Sequence, residues 1–169
     1  MTVPDWGQGV LWSCLGLRLR SIVRAFHEHR GEIDESRGPL ELTFEDGRVI
    51  HLTTAPNGES VWIREGAWSD PVAGPDGEVG EQWAREHGRM VRVDVSDRPD
   101  CFAAVGGPLV TAHWLANEHG NIAGVEMSFF HAVLTFVSWG DDEYVVPGGA
   151  SALPAEWGMH PYPTMVMEA

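Results

Sequence analysis

The chain has 169 residues, a length suited to one domain or to two small halves sharing one core. Acidic residues number 25 against 11 basic ones, giving a formal net charge of −14, and every basic residue is arginine. That balance opposes sequence-independent nucleic-acid binding and an anionic membrane surface, and the absence of lysine excludes P-loop, Schiff-base and kinase lysines.

Met1–Asp5 has no basic region followed by an apolar stretch, so no signal peptide is expected, and no apolar run is long enough for a membrane-spanning helix. Cys14 and Cys101 fit a reducing, cytoplasmic setting; a disulfide between them would require the two halves to bring them together.

The stretch from Leu15 to Phe26 alternates at period two near its start and reads as a strand, although Leu19, Ile22, Val23 and Phe26 also fit a helical period. A matching segment, Pro108 to Ala116, follows Gly106-Gly107 and is rich in β-branched and aromatic residues, which decides for a strand. A polar turn is expected from His27 to Pro39. Leu40, Leu42 and Phe44 then face one side of a strand, and Asp46-Gly47 marks a hairpin leading to Ile50 and Leu52. Pro56-Asn57-Gly58 is a second turn, and Ser60 to Ile63 a fourth strand.

Residues 69–80 hold two Pro and three Gly and read as a loop. Glu81 to His87, stopped by Gly88, is a short helix, and Met90 to Val95 an added strand. From Pro147 onward the chain is rich in Gly and Pro; this tail is expected to pack through Trp157 and to be loose from Pro161 to Ala169.

The first unit returns as a second. Leu40–Phe44 and Val49–Thr54 reappear as Val125–Phe129 and Val133–Ser138, and Leu19, Glu28, His29 and Gly31 fall on Leu109, Glu118, His119 and Gly120. Glu59 and Val61 line up with Glu143 and Val145. The offset falls from 90 (Leu19 to Leu109) to 84 (Val49 to Val133), each step at a turn. The expected organisation is a single domain, 1–169: a unit over about 14–64, a linker with an extra strand over 65–103, a second unit over about 104–147 and a tail over 148–169. Two antiparallel meanders with one apolar face each give a mainly β fold, packed as a sandwich or partly closed barrel. The phrasing Leu40-x-Leu-x-Phe-x-Asp-Gly47 resembles that of small bacterial β domains and brings no catalytic residue with it.

The matched Glu-His pairs, Glu28-His29 and Glu118-His119, with Glu86-His87 in the linker, are the first candidates for chemistry. If the matched turns met, imidazoles and carboxylates could hold a divalent metal through His29, His119 and His87, or act as general acid and base. Duplication would, however, copy turn residues whether or not they act. His27 shares a strand face with His29, where the second unit has Asn117. Arg18, Arg20 and Arg24 are read as projecting from one side of the opening strand, toward a carboxylate or phosphate or toward Glu41 and Glu45 on a neighbouring strand. Of the tryptophans, Trp6, Trp12, Trp62, Trp68, Trp83, Trp114, Trp139 and Trp157, two stand beside acidic residues in loops: Trp68 near Asp70, and Trp139 before Asp141 and Asp142. Such aromatics serve as interface anchors or as plugs at the ends of a sandwich.

No Gly-x-Ser-x-Gly or other assembled catalytic set is present. The sequence therefore points to a cytoplasmic acidic binding module, in its sharpest form an immunity-type neutraliser of a basic protein partner, with no cofactor. The rival is a small metal- or His/Glu-dependent enzyme or small-ligand binder at the Glu-His turns, and a third reading is a homodimer paired through an exposed strand edge.

Overall fold

The alternating apolar residues fold as strands in the computed structural model, which describes residues 7–168; Trp6, the Met1–Asp5 stretch and Ala169 lie outside the described residues. The first sheet holds β1 (Leu19–His29), β2 (Glu32–Asp34), β3 (Leu40–Phe44), β4 (Val49–Thr54), β5 (Val61–Glu65) and β6 (Arg89–Asp94). The second holds β7 (Leu109–Ala116), β8 (Ile122–Phe129), β9 (Ala132–Trp139), β10 (Asp142–Pro147) and β11 (His160–Glu168). Both are antiparallel, and they pack against each other as a sandwich without closing into a barrel. Two short helices accompany them, α1 (Gln8–Trp12), which has no counterpart in the sequence reading, and α2 (Glu81–His87), which falls where the Gly88 stop placed it. No helix among the described residues is long and apolar enough to cross a membrane.

The registers of the two sheets run in step. Leu19 lies opposite Phe44 and Leu109 opposite Phe129; Ile22 lies opposite Leu42 and Ala112 opposite Met127. A register shift falls after Leu19 in one sheet and after Leu109 in the other. Where β1 and β7 begin, Leu19 N–H donates to Gly107 O and Leu109 N–H to Leu17 O, both at 2.9 Å, around an Arg18–Pro108 bridge. At the far end of β4 and β9, the hydroxyls of Thr54 and Ser138 meet at 2.9 Å. Positions aligned in the sequence thus touch each other at two places.

Three expectations are corrected. The polar turn from His27 to Pro39 is much shorter: β1 runs through His29, the chain reverses at Arg30-Gly31 with φ of 55° and 84°, and β2 follows. The end of the tail is a strand, β11, which takes the free edge of β7. Glu143 is not the counterpart of Glu59. Thr54 faces Val61 across one hairpin and Ser138 faces Glu143 across the other, because the second turn is the two-residue Gly140-Asp141, both at positive φ.

The inner faces bury Ile22, Phe26, Leu40, Leu42, Phe44, Ile50, Leu52 and Ile63 against Leu109, Ala112, Trp114, Val125, Met127, Leu134 and Phe136. Each large apolar side chain so enclosed contributes about 1.5–3 kcal/mol. Leu11 and Cys14, with Val95, Cys101 and Ala104, complete the cluster. The thiols of Cys14 and Cys101 are buried and free, with no disulfide between them. The outer face of the second sheet is buried too. Residues 148–159 cross it on the way from β10 at one edge to β11 at the other. They are tied down by Thr135 Oγ1 donating to Gly148 O (2.7 Å) and by Ala150 N–H donating to Glu126 Oε2 (2.7 Å). Trp157 of this strap stacks on Trp139, as the tail was expected to do through that residue.

The break between β2 and β3 depends on Gly38. Its φ is 135°, a Cβ there would lie 1.9 Å from Ala25 O, and its N–H donates to Glu143 O of the other sheet at 2.8 Å. Gly38→Ala is expected to lower stability by at least about 2 kcal/mol in urea unfolding. Burial raises the Cys14 thiol and, aided by the Asp100 charge, pushes Cys101 up to about 11 from 9.0. The folded chain then keeps a proton that the unfolded chain loses, so this contribution is full below about pH 9 and fades as pH rises toward the folded value. Urea unfolding between pH 8 and 10.5 is expected to show that decline, and Cys101→Ala to flatten it.

Candidate functional site

The strands of a sandwich must turn at its ends, and side chains from turns of both sheets converge there. At one end the β4–β5 turn, the β7–β8 turn and the β9–β10 turn surround a cleft of about 390 Å³, closed on one side by the strap. Glu59, Glu118 and Asp141 bring three carboxylates to its lining, Trp139, Trp157 and Met159 bring apolar surface, and His119 and Asn117 stand beside them. Among the described residues the lining contains no arginine.

Local chemistry fixes each part. Asn117 Oδ1 accepts the N–H groups of His119 and Asn121, both at 3.0 Å, which shapes the β7–β8 turn. Asn121 Nδ2 in turn donates to Glu59 Oε2 across the two sheets. Asp141 sits at φ 67° in its tight turn, and its carboxylate lies against Gly58, where a Cβ would come within 1.9 Å of Oδ1. The indoles of Trp139 and Trp157 stack with centroids 5.4 Å apart and planes 21° apart, Tyr144 packs on Trp157 at 4.9 Å, and Trp139 remains 41% exposed. Aromatic faces carry partial negative charge, so the rings and carboxylates together favour a cation.

A second cleft, of about 370 Å³, lies on the outer face of the first sheet beneath the linker, lined by Trp68, Trp83, His27, Asp70 and Glu143 among others. Glu143 joins the two sheets: its Oε1 accepts from Thr53 Oγ1 (2.8 Å) and Thr54 N–H (3.0 Å). The sequence match that set Glu143 against Glu59 concealed this role.

The candidate residues are scattered among different surroundings. His119 and Glu118 line the first cleft, with Nε2 and Oε1 3.6 Å apart on exposed side chains. His29 lines neither cleft; its ring lies 6.3 Å from that of His27, and its Nε2 is buried without a hydrogen-bond partner among the described residues. Glu28 does not orient His29, because neighbours in a strand point to opposite faces. Its carboxylate takes the Gly31 N–H (2.7 Å) and Arg89 Nε (2.8 Å), which in that order hold it below the usual range. His87 lines the second cleft; its carbonyl accepts from His27 Nε2 at 2.7 Å, which puts the proton of that ring on Nε2. Among the described residues no group of three His, Cys, Asp or Glu side chains is placed to hold a metal ion.

The arginines do not form one stripe. The register shift between Leu19 and Ser21 inserts Arg20 as an extra residue and reverses the alternation. Arg18 and Arg20 are exposed, whereas Arg24 points inward at 6% exposure. Its Nη2 donates to Gly38 O (2.8 Å) and its Nε to Pro39 O (3.3 Å), and it lies 5.2 Å over the Phe26 ring. Burial pulls its pKa down to about 10, which leaves it cationic at neutral pH. Glu41 pairs with Arg92 and the Trp68 N–H, and Glu45 accepts the Arg18 backbone N–H, so the expected ion pairs with the stripe are replaced. Asp142 is held by Arg37 at 2.6 Å on the surface.

No family model, curated protein or solved structure matches this chain.

Arg24 therefore acts as a brace. Arg24→Met takes the donor from the buried Gly38 carbonyl and leaves Pro39 O with the Ala25 N–H alone, and the expected loss is about 1–3 kcal/mol in chemical denaturation.

Proposed function

We propose that this chain is an acidic binding module that captures a cationic group of a basic protein partner in the cleft between the β4–β5, β7–β8 and β9–β10 turns, in the manner of an immunity-type neutraliser. The observation that carries the reading is the composition of that cleft: Glu59, Glu118 and Asp141 stand with the stacked Trp139 and Trp157, without an arginine among the described residues of the lining. An arginine side chain of a partner suits such a place, since its guanidinium can lie on an indole face while its N–H groups reach carboxylates. The net charge of −14 supports the reading at longer range, because it draws a basic partner in and orients it before contact. The two separate buried thiols agree with a reducing, cytoplasmic setting.

The test uses indole fluorescence with N-acetyl-arginine amide and its neutral citrulline counterpart as probes. The arginine compound is expected to bind about tenfold more tightly, with affinity falling as salt rises, and Trp139→Ala and Glu118→Gln are each expected to weaken it severalfold. Equal binding of the two compounds, or binding untouched by both substitutions, would rule the reading out.

A further inference from the structure

The second cleft has a different character from the first. At about 370 Å³ it falls within the range of small-molecule sites. Its walls are largely apolar: Trp68, Met90, Val72 and Trp83 contribute, and the last two stand 53% and 47% exposed at its rim. Aromatic and aliphatic surface gathered around a cavity is surface on which an apolar ligand body gains by leaving water.

Two carboxylates, Asp70 and Glu143, reach this cavity. Asp70 uses Oδ1 to accept the Val72 N–H at 3.0 Å, and Glu143 uses Oε1 for Thr53 and Thr54. Neither Asp70 Oδ2 nor Glu143 Oε2 has a protein donor among the described residues. The one arginine in the lining, Arg89, is engaged through Nε with Glu28. Two carboxylates, each with an oxygen still to be satisfied, beside two indoles select a ligand that presents N–H donors and positive charge at one end and an apolar body at the other.

We propose that this cleft binds a small organic amine with an aromatic or branched aliphatic body, its ammonium group served by Glu143 and Asp70 and its body lying against Trp68 and Trp83. The site is separate from the cleft assigned to the protein partner and does not rest on that assignment. A ligand here would also couple the halves of the molecule, because Glu143 belongs to the second sheet whereas His27 and Thr53 in the same lining belong to the first.

The experiment is calorimetric titration of the full chain with phenethylamine, protonated at neutral pH, and with phenethyl alcohol, which keeps the ring and lacks the charge. The amine is expected to bind at least about tenfold more tightly than the alcohol. Trp83→Ala and Glu143→Gln are each expected to weaken the amine by about tenfold, and Glu32→Gln, at an exposed carboxylate outside both clefts, to leave it unchanged. Since Glu143 also braces the two sheets, Trp83→Ala, on an exposed helix face, separates lost binding from lost folding. No saturable binding up to about 10 mM amine, equal affinity for the alcohol, or loss in Glu32→Gln without loss in Trp83→Ala would overturn the proposal.

Discussion

Each meander has one apolar face that it cannot bury alone, and the mutual burial of those two faces is the constraint on which the other features of the molecule depend. It brings Phe26, Phe44, Trp114 and Phe136 into one cluster and sets the sheets at a fixed separation. With the sheets so placed, β1 and β7 begin side by side around the Arg18–Pro108 bridge, and the Thr54 and Ser138 hydroxyls meet at the other end. Apolar burial is non-directional, so it brings the faces together without choosing a register. The polar contacts supply that choice: Glu143 on Thr53 and Thr54, and the Gly38 N–H on the Glu143 carbonyl, are satisfied in one alignment of the sheets.

The two halves fill equivalent places differently. Arg24 lies opposite Leu40 as Trp114 lies opposite Val125, so one inward position holds a guanidinium and the other an indole. The guanidinium is tolerated because the broken strand between β2 and β3 exposes the Gly38 and Pro39 carbonyls to it. β8 has no such break, and Trp114 fills the space with apolar surface, its Nε1 lacking a hydrogen-bond partner among the described residues. The outer faces differ as well. The strap of residues 148–159 covers the second sheet, and the linker with α2 borders the cleft on the first. The first cleft is built mainly from turns and is acid-rich; the second lies under the linker and is mainly apolar in its walls.

Function in such a molecule belongs to the ends and the added segments, because the paired faces are consumed by packing. A strand interior shows solvent one side chain in two, whereas a turn can present several at once. Trp139, Asp141 and His119, read in the sequence as separate candidates, become neighbours for that reason. His29 and His119, matched in the sequence, have different surroundings, because β1 continues two residues past His27 in its sheet while β7 ends at Ala116 and leaves His119 in a turn. A match in sequence therefore gives equivalent places in two sheets, which is not the same as a shared place in space.

The local pattern of the chain by itself determined most of the strands, though not β2 or β11, together with most of the hairpins and the short helix before Gly88, because alternation of apolar residues and the positive φ of turn glycines act over a few residues. It also indicated two sheets packed face to face, but not that the outer face of the second is buried as well. Only the tertiary structure decided that Arg24 turns inward, since a single extra residue at Arg20 reverses every side chain beyond it. The length of the β1–β2 turn, the pairing of the tail as β11 and the partners of Glu41 and Glu143 were decided there too. The partners of Glu41 and Glu143 lie 27 to 90 positions away and the tail pairs with an otherwise unpaired strand edge, and contacts at that separation leave no period in the sequence that a local reading can detect.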